Sequence, residues 1–312
     1  MYYPYFRGKQ YELITIREKA KLLAGCGFTP IIEPVKESFK GLEKALDAIC
    51  EAQGKAIVIV NPGCGDHQGS GNSIITLLEP YAEKGSISAG ILLSATTVLS
   101  KAIDLLDRCK KLKPIFIHAG FPAPRELAEY ISDDMAESEH IFFDNHAKML
   151  YRKHFSKGTR VLLHDGFERQ RNADYPPSET FSDLHVTYTE MGMDGFGDFL
   201  IVGDHFAEGG GPAYAIAIHL TFIDPNRDNE MFVYHFVSTT KDTPTDPAGK
   251  FVQALNKLIE KLDSGDSHLY ETETIKEFRK LHSREHFPGL GYVKKLSMKH
   301  HIETLAQYLH GA

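Results

Sequence analysis

Residues 55–61 read Lys55-Ala56-Ile57-Val58-Ile59-Val60-Asn61, an apolar, largely β-branched run bounded by a charge and an amide. A strand with one wet face alternates apolar and polar residues. A run without that alternation is expected where both faces are covered, as in a parallel sheet flanked by helices. Three further segments have the same character: KPIFIH at 113–118, HIFFDN at 140–145 and TRVLLH at 159–164. Two further strands are expected at 28–34 and 88–94.

Helical patterns fill the gaps. Residues 41–53 place Leu42, Ala45, Leu46, Ile49 and Cys50 on one stripe. Residues 72–83, 97–110, 124–131 and 146–155 follow, with Pro124 suited to a first helical turn. The strands start at 28, 55, 88, 113, 140 and 159, so the steps are 27, 33, 25, 27 and 19. Such a period marks repeated βα units. No G-x-G-x-x-G follows the first strand, so a dinucleotide-binding doubly wound sheet is disfavoured. The expected class is α/β, an irregular (β/α)8 TIM-like barrel with a C-terminal helical extension.

The rhythm breaks after Asp165. Residues 166–183 are polar, contain Pro176-Pro177, and suit a functional or disordered loop. Strands are expected at 185–189, 198–202, 213–223 and 231–238, the last two as a hairpin. Helices close the chain at 251–262, 274–282 and 298–309. The expected organisation is a barrel with its N-terminal segment over 1–245 and packed helices over 246–312.

Composition sets outer bounds. The chain has 312 residues, 42% of them apolar and 25% charged, with a formal charge of −7, which excludes a wholly disordered chain and argues against a dedicated DNA-binding module. No apolar run reaches the length of a membrane helix, and the start lacks signal-peptide architecture. Cys26, Cys50, Cys64 and Cys109 form no C-x-x-C, so a zinc site on cysteines is not expected and a reduced, cytoplasmic protein is. Histidine is abundant, at 16 residues.

Barrels place their chemistry at the carboxyl ends of the strands. Glu33, Asp144, His164 and Asp165 are the candidate catalytic residues there, able to divide acid and base roles or to hold a divalent metal such as Mg²⁺. Asn61, His118, Asn145, Asp204 and His205 end other strands and are candidate ligand-binding residues. Arg7 and Lys9 are candidate phosphate-binding cations, or else partners of Glu12 or Glu33 in a structural ion pair. The glycine-rich loop at 63–72 fits either an anion cradle or a flexible connection, without the G-K-[ST] ending of a P-loop. Glycines at 209–211 suit a flap or a sharp turn. His219 and His235 read as core, and the Met298-Lys299-His300-His301-Ile302-Glu303 run as a solvated helix face.

The opening Tyr3-Pro4-Tyr5-Phe6-Arg7-Gly8-Lys9-Gln10-Tyr11-Glu12-Leu13, with Pro30-Ile31-Ile32-Glu33-Pro34-Val35-Lys36, resembles the bacterial and phage "beta protein" family. It is more closely similar to a locus-tag-named bacterial family with an R-G-K-Q-x-E-L start. Val202-Gly203-Asp204, Glu208 to Ala213 and Ala217-Ile218-His219-Leu220 carry the same likeness. The resemblance implies a barrel-like fold and gene neighbourhoods with restriction-like nucleases, hence a component of anti-phage defence. It supplies no reaction. Two expectations follow: a hydrolase or phosphodiesterase acting on a nucleotide or phosphorylated ligand, or a non-catalytic sensor or scaffold controlling a partner nuclease encoded nearby.

Overall fold

Eight strands run parallel, side by side, and close on themselves in the computed structural model, which describes residues 1–69, 71–209 and 211–311. They are β1 (Tyr2–Phe6), β2 (Ile31–Ile32), β3 (Ala56–Ile59), β4 (Ile87–Ser94), β5 (Ile115–Ala119), β6 (Glu139–Phe143), β7 (Thr159–His164) and β9 (Gly195–Asp198). Helices α1 (Gln10–Gly25), α2 (Lys40–Glu51), α3 (Asn72–Leu78), α4 (Leu99–Cys109), α5 (Pro124–Tyr130) and α6 (Met149–Lys153) connect them. The expected barrel is therefore present, with one shift of register in the reading. Its first strand is Tyr2–Phe6, before the first expected strand, and this strand pairs with β2 on one side and β9 on the other. Five consecutive buried residues, three of them aromatic before Phe6, suit a strand covered on both faces.

Strand parity sorts the barrel. Tyr3 and Tyr5, Ile57 and Ile59, Ile115 and Ile117, Ile141 and Phe143, and Val161 and Leu163 form one interior cluster. β9 answers Tyr3 with Gly195 and Gly197, whereas Tyr5 meets the Phe199 ring. A Cβ on Gly195 would lie 3.0 Å from the Tyr3 ring, and one on Gly197 would run into the Tyr3 carbonyl and the Leu163 side chain. Large residues on β1 thus require empty positions on β9, which is the volume matching of a close-packed core.

The chain divides into two compact units, Met1–His164 with Thr187–Phe199, and Asp165–Val186 with Leu200–Ala312. The expected hairpin forms, as β10 (Ala217–Asp224) and β11 (Glu230–Val237), and β8 (Ser178–Ser182) extends it to a three-stranded antiparallel sheet. This sheet belongs with the terminal helices α8 (Pro247–Asp263), α9 (Glu273–Ser283) and α10 (Leu290–His310), because they share one core. Ile218 and Leu220 of β10 pack there with Phe251, Leu255, Phe278 and Leu296. The segment expected as a strand at 185–189 begins instead within the short helix α7 (Leu184–Thr187).

Six histidines are built into these cores. In the barrel unit, Ser138 Oγ donates to the Met135 carbonyl at 2.6 Å, so it accepts from His140 Nε2 at 2.7 Å. His140 Nδ1 then accepts from His118 Nε2 at 3.0 Å, and His118 Nδ1 accepts from the Tyr151 hydroxyl at 2.8 Å. Each ring has one defined neutral tautomer. In the second unit His235 Nε2 faces Glu179 at 3.1 Å and its Nδ1 meets His219 Nδ1 at 2.7 Å, so these two are core residues as expected. His300 and His301 are fully buried, which corrects the solvated face expected for α10. His300 Nε2 donates to the Thr221 carbonyl at 3.0 Å and His301 Nδ1 meets the Thr221 hydroxyl at 3.0 Å. The helix is enclosed because β10 covers the face that carries them.

Burial holds His118 well below its usual range, with the neighbouring His140 adding to it, and takes His140 and His219 down to about 3 and His300 to about 4. The folded protein keeps them neutral, whereas the unfolded chain protonates them below about pH 6.5. Their contribution is complete above that pH and is lost as pH falls towards 4 and 3. Urea unfolding at pH 7 and pH 5 should show lower stability at pH 5, with a slope of about 1.4 kcal/mol per pH unit for each histidine that titrates. A flat profile would contradict the burial. Independently, Gly197→Ala should cost about 1–3 kcal/mol through overpacking, read as a lowered melting temperature.

Candidate functional site

The carboxyl ends of β1, β2 and β3 bring Arg7, Glu33 and Gly63 together. Glu33 is 2% exposed, and both its oxygens are engaged. The Tyr5 hydroxyl donates to Oε2 at 2.8 Å, and the Gly63 amide donates to Oε1 at 2.8 Å. Arg7 Nε stands 3.5 Å from Oε2, and the guanidinium carbon lies 5.6 Å from the Tyr5 ring centroid. Glu12 accepts the Arg7 amide at 2.5 Å. Of the two expectations for Arg7, the ion pair with Glu33 is the one present. Cys64 adjoins this carboxylate, and burial together with Glu33 pushes its thiol up to about 12, so it is a protonated, unreactive neighbour.

A second pair sits at the ends of β6 and β7. His164 Nδ1 lies 3.5 Å from Asp144 Oδ2, and Arg152 Nη1 donates to Asp144 Oδ1 at 3.4 Å. Asp144 and His164 keep about a third of their side chains in water, at 33% and 39%. Three rings lie in the interior where these strands end. The centroids of Tyr5 and Phe143 are 5.7 Å apart, those of Tyr5 and Phe199 4.9 Å, and those of Phe143 and Phe199 5.2 Å. Tyr5 and Phe143 lie at the carboxyl ends of β1 and β6 and Phe199 directly follows β9, so the trio packs the interior at the carboxyl end of the barrel.

The remaining candidates fall elsewhere. Asn61 exchanges two hydrogen bonds of 2.8 Å with the Leu92 main chain, so its amide extends the β3–β4 ladder. His118 is not at the strand end. β5 continues to Ala119, and His118 has the outward parity, fully buried among Phe116, Phe142 and Phe155. Asn145 is exposed and Lys9 half-buried. In the second unit Asp165 orders its own loop, accepting the Phe167 amide at 3.1 Å and the Asp204 amide at 2.7 Å, while His205 is exposed. Among the described residues, no three His, Cys, Asp or Glu side chains converge as a metal ion requires.

The loop at 63–72 is tied down. Asp66 accepts the Glu37 amide at 2.8 Å, His67 Nε2 meets the Lys36 carbonyl at 3.1 Å, and the His67 ring stacks on Phe39 at 4.6 Å. Ser70 of this loop and Gly210 of the second glycine run lie outside the described residues. Tyr5 and Arg152 were not among the expected site residues, and Gly63 and Cys64 were expected only as part of the glycine-rich loop. Reading Tyr2–Phe6 as a strand would have pointed to Tyr5, which shares the interior parity of Tyr3 two residues before Arg7.

No family profile and no curated sequence matches the chain. Among solved structures it is similar to a truncated 3-deoxy-D-arabino-heptulosonate 7-phosphate synthase from Thermotoga maritima, at 13% identity and a TM-score of 0.38 over 64% of this chain and 75% of that one. It is also similar to a morphinone reductase mutant in complex with tetrahydroNAD, at 10% identity and a TM-score of 0.37 over 63% and 82%. The class is set by the strand order itself, a closed parallel (β/α)8 barrel with helices at the C-terminus.

Removing one member of a buried ion pair strands the other charge. Glu33→Gln and Arg7→Met should each lower stability by about 3–5 kcal/mol in urea unfolding, and the double variant by clearly less than the sum. Additive losses would show that the two side chains are not coupled.

Proposed function

We propose that the barrel is a non-catalytic recognition module, the sensor or scaffold subunit of an anti-phage defence system that controls a partner effector nuclease. The observation that carries the first half is the state of the strand ends. Glu33 is fully engaged by protein groups, and the Tyr5–Phe143–Phe199 trio occupies the interior beside it. A general acid or base has to reach a substrate proton at hydrogen-bond distance, and a 2% exposed Glu33 that already takes a phenol, an amide and a guanidinium is placed for a structural ion pair rather than for that role. The defence role rests on the resemblance of the N-terminal motif, and so does the nuclease partner.

The second reading is a hydrolase or phosphodiesterase acting on a nucleotide or phosphorylated ligand. The half-exposed Asp144–His164 pair favours it, since an imidazole oriented by a carboxylate is a ready proton carrier. Asp165, tied into its own loop, contributes nothing specific to that reading.

The test is protection of a host against plating phage, with the operon intact. Arg7→Met/Glu33→Gln and Asp144→Asn/His164→Gln, each with a native-like melting transition, should protect as well as the parent chain. Loss of protection by at least about tenfold in the folded Asp144→Asn/His164→Gln protein would overturn the scaffold reading and leave the hydrolase. Co-purification should recover a stoichiometric nuclease partner.

A further inference from the structure

A groove of about 310 Å³ opens between the first turns of α1 and α2, at the ends of β1 and β2. Its floor is Leu13 and Ile14, and its walls carry Arg17, Lys36, Lys40 and Lys44. No lining residue is acidic. All four cations are exposed. None forms an ion pair among the described residues, although surface cations elsewhere in the chain, such as Lys110, Arg125 and Lys276, find carboxylates.

This arrangement runs against its surroundings. The chain carries a net −7, yet four positive charges gather around one small concavity. Lys40 and Lys44 are one helical turn apart on the same face of α2, a spacing at which like charges repel. A bound polyanion would relieve that repulsion. Neither α1 nor α2 has a side-chain N-cap, since Lys9 and Phe39 occupy those positions without capping; Glu12 and Glu43 stand in the first turns, with Glu12 taken up by the Arg7 amide. Close approach of the two helices is secured at Gly41, where a Cβ would stand only 3.1 Å from Leu13 Cδ1.

We propose that this groove binds a small polyphosphate ligand of the nucleoside di- or triphosphate class. The cations take the phosphates. Leu13, Ile14 and the lysine stems take the less polar part of the molecule. The volume suits one such molecule and not a nucleic-acid strand, for which the groove offers no line of exposed stacking rings. The site uses none of the residues assigned to the strand-end readings above, so it stands or falls independently of them.

Calorimetric titration of the full chain with ATP, with adenosine as control, tests the proposal. ATP is expected to bind at least about tenfold more tightly than adenosine, to weaken as salt is raised, and to raise the melting temperature. Lys40→Gln/Lys44→Gln, which removes a like-charge repulsion from an exposed face and should fold, is expected to weaken ATP binding by at least about tenfold. Arg17→Ser/Lys36→Ser should weaken it in the same direction. No binding of ATP up to about 1 mM, or equal binding by parent and both folded variants, would overturn it. Either result leaves the phage-protection test of the strand-end reading untouched.

Discussion

The barrel depends on where its first strand pairs. β1 is hydrogen-bonded to β2 on one edge and to β9 on the other, so it is the strand that turns an open sheet into a closed one. Its inward residues, Tyr3 and Tyr5, are bulky, and its closing neighbour supplies Gly195 and Gly197 beside Tyr3. Its outward Tyr2 anchors the same seam through a 2.8 Å hydrogen bond to Asp198. Once this strand is in place, Arg7 emerges beside Glu33 and Gly8 turns the chain, at φ +59°, into α1.

The Arg7–Glu33 pair illustrates how burial decides between chemistry and architecture. Two charges removed from water are costly unless each is fully satisfied. Glu33 meets that condition with a phenol, a backbone amide and a guanidinium. The same satisfaction that makes the charge tolerable withdraws it from a substrate. Asp144 and His164 are in the opposite regime. Solvent screens them, and their geometry is loose enough for either member to exchange its partner.

Much of the fold was legible because the parallel strands are apolar on both faces and recur at a near-constant step. Strands β3 to β7 and the helices between them fell where pattern placed them. The first strand was missed for an instructive reason: YYPYF holds a proline and three tyrosines, and neither reads as a buried strand until β9 is seen to leave room for the rings. The division of the chain was also illegible, since β10 and β11 continue the apolar pattern of the barrel and only their shared core with Phe251 and Leu296 assigns them to the helices. Glu33, Asp144 and His164 lie at strand ends as the pattern placed them, but His118 does not. One residue of error in a strand end reverses parity and moves a side chain from the mouth to the outer layer. His300 and His301 failed similarly, because a helix covered on most of its surface carries no amphipathic signal to contradict a solvated reading.

The seam between β1 and β9 also sets the order in which the chain can become a barrel. Tyr2 and Asp198 are 196 residues apart, and the chain forms α7 and β8 before it returns to supply the last strand. Seven strands therefore exist with two open edges until residue 198 has been made. Such edges are templates for pairing with other chains, and long-range parallel closure is slow. The protein is consequently most vulnerable to aggregation during synthesis, in an interval bounded by the completion of β7 and the arrival of β9, and chaperone demand should peak there.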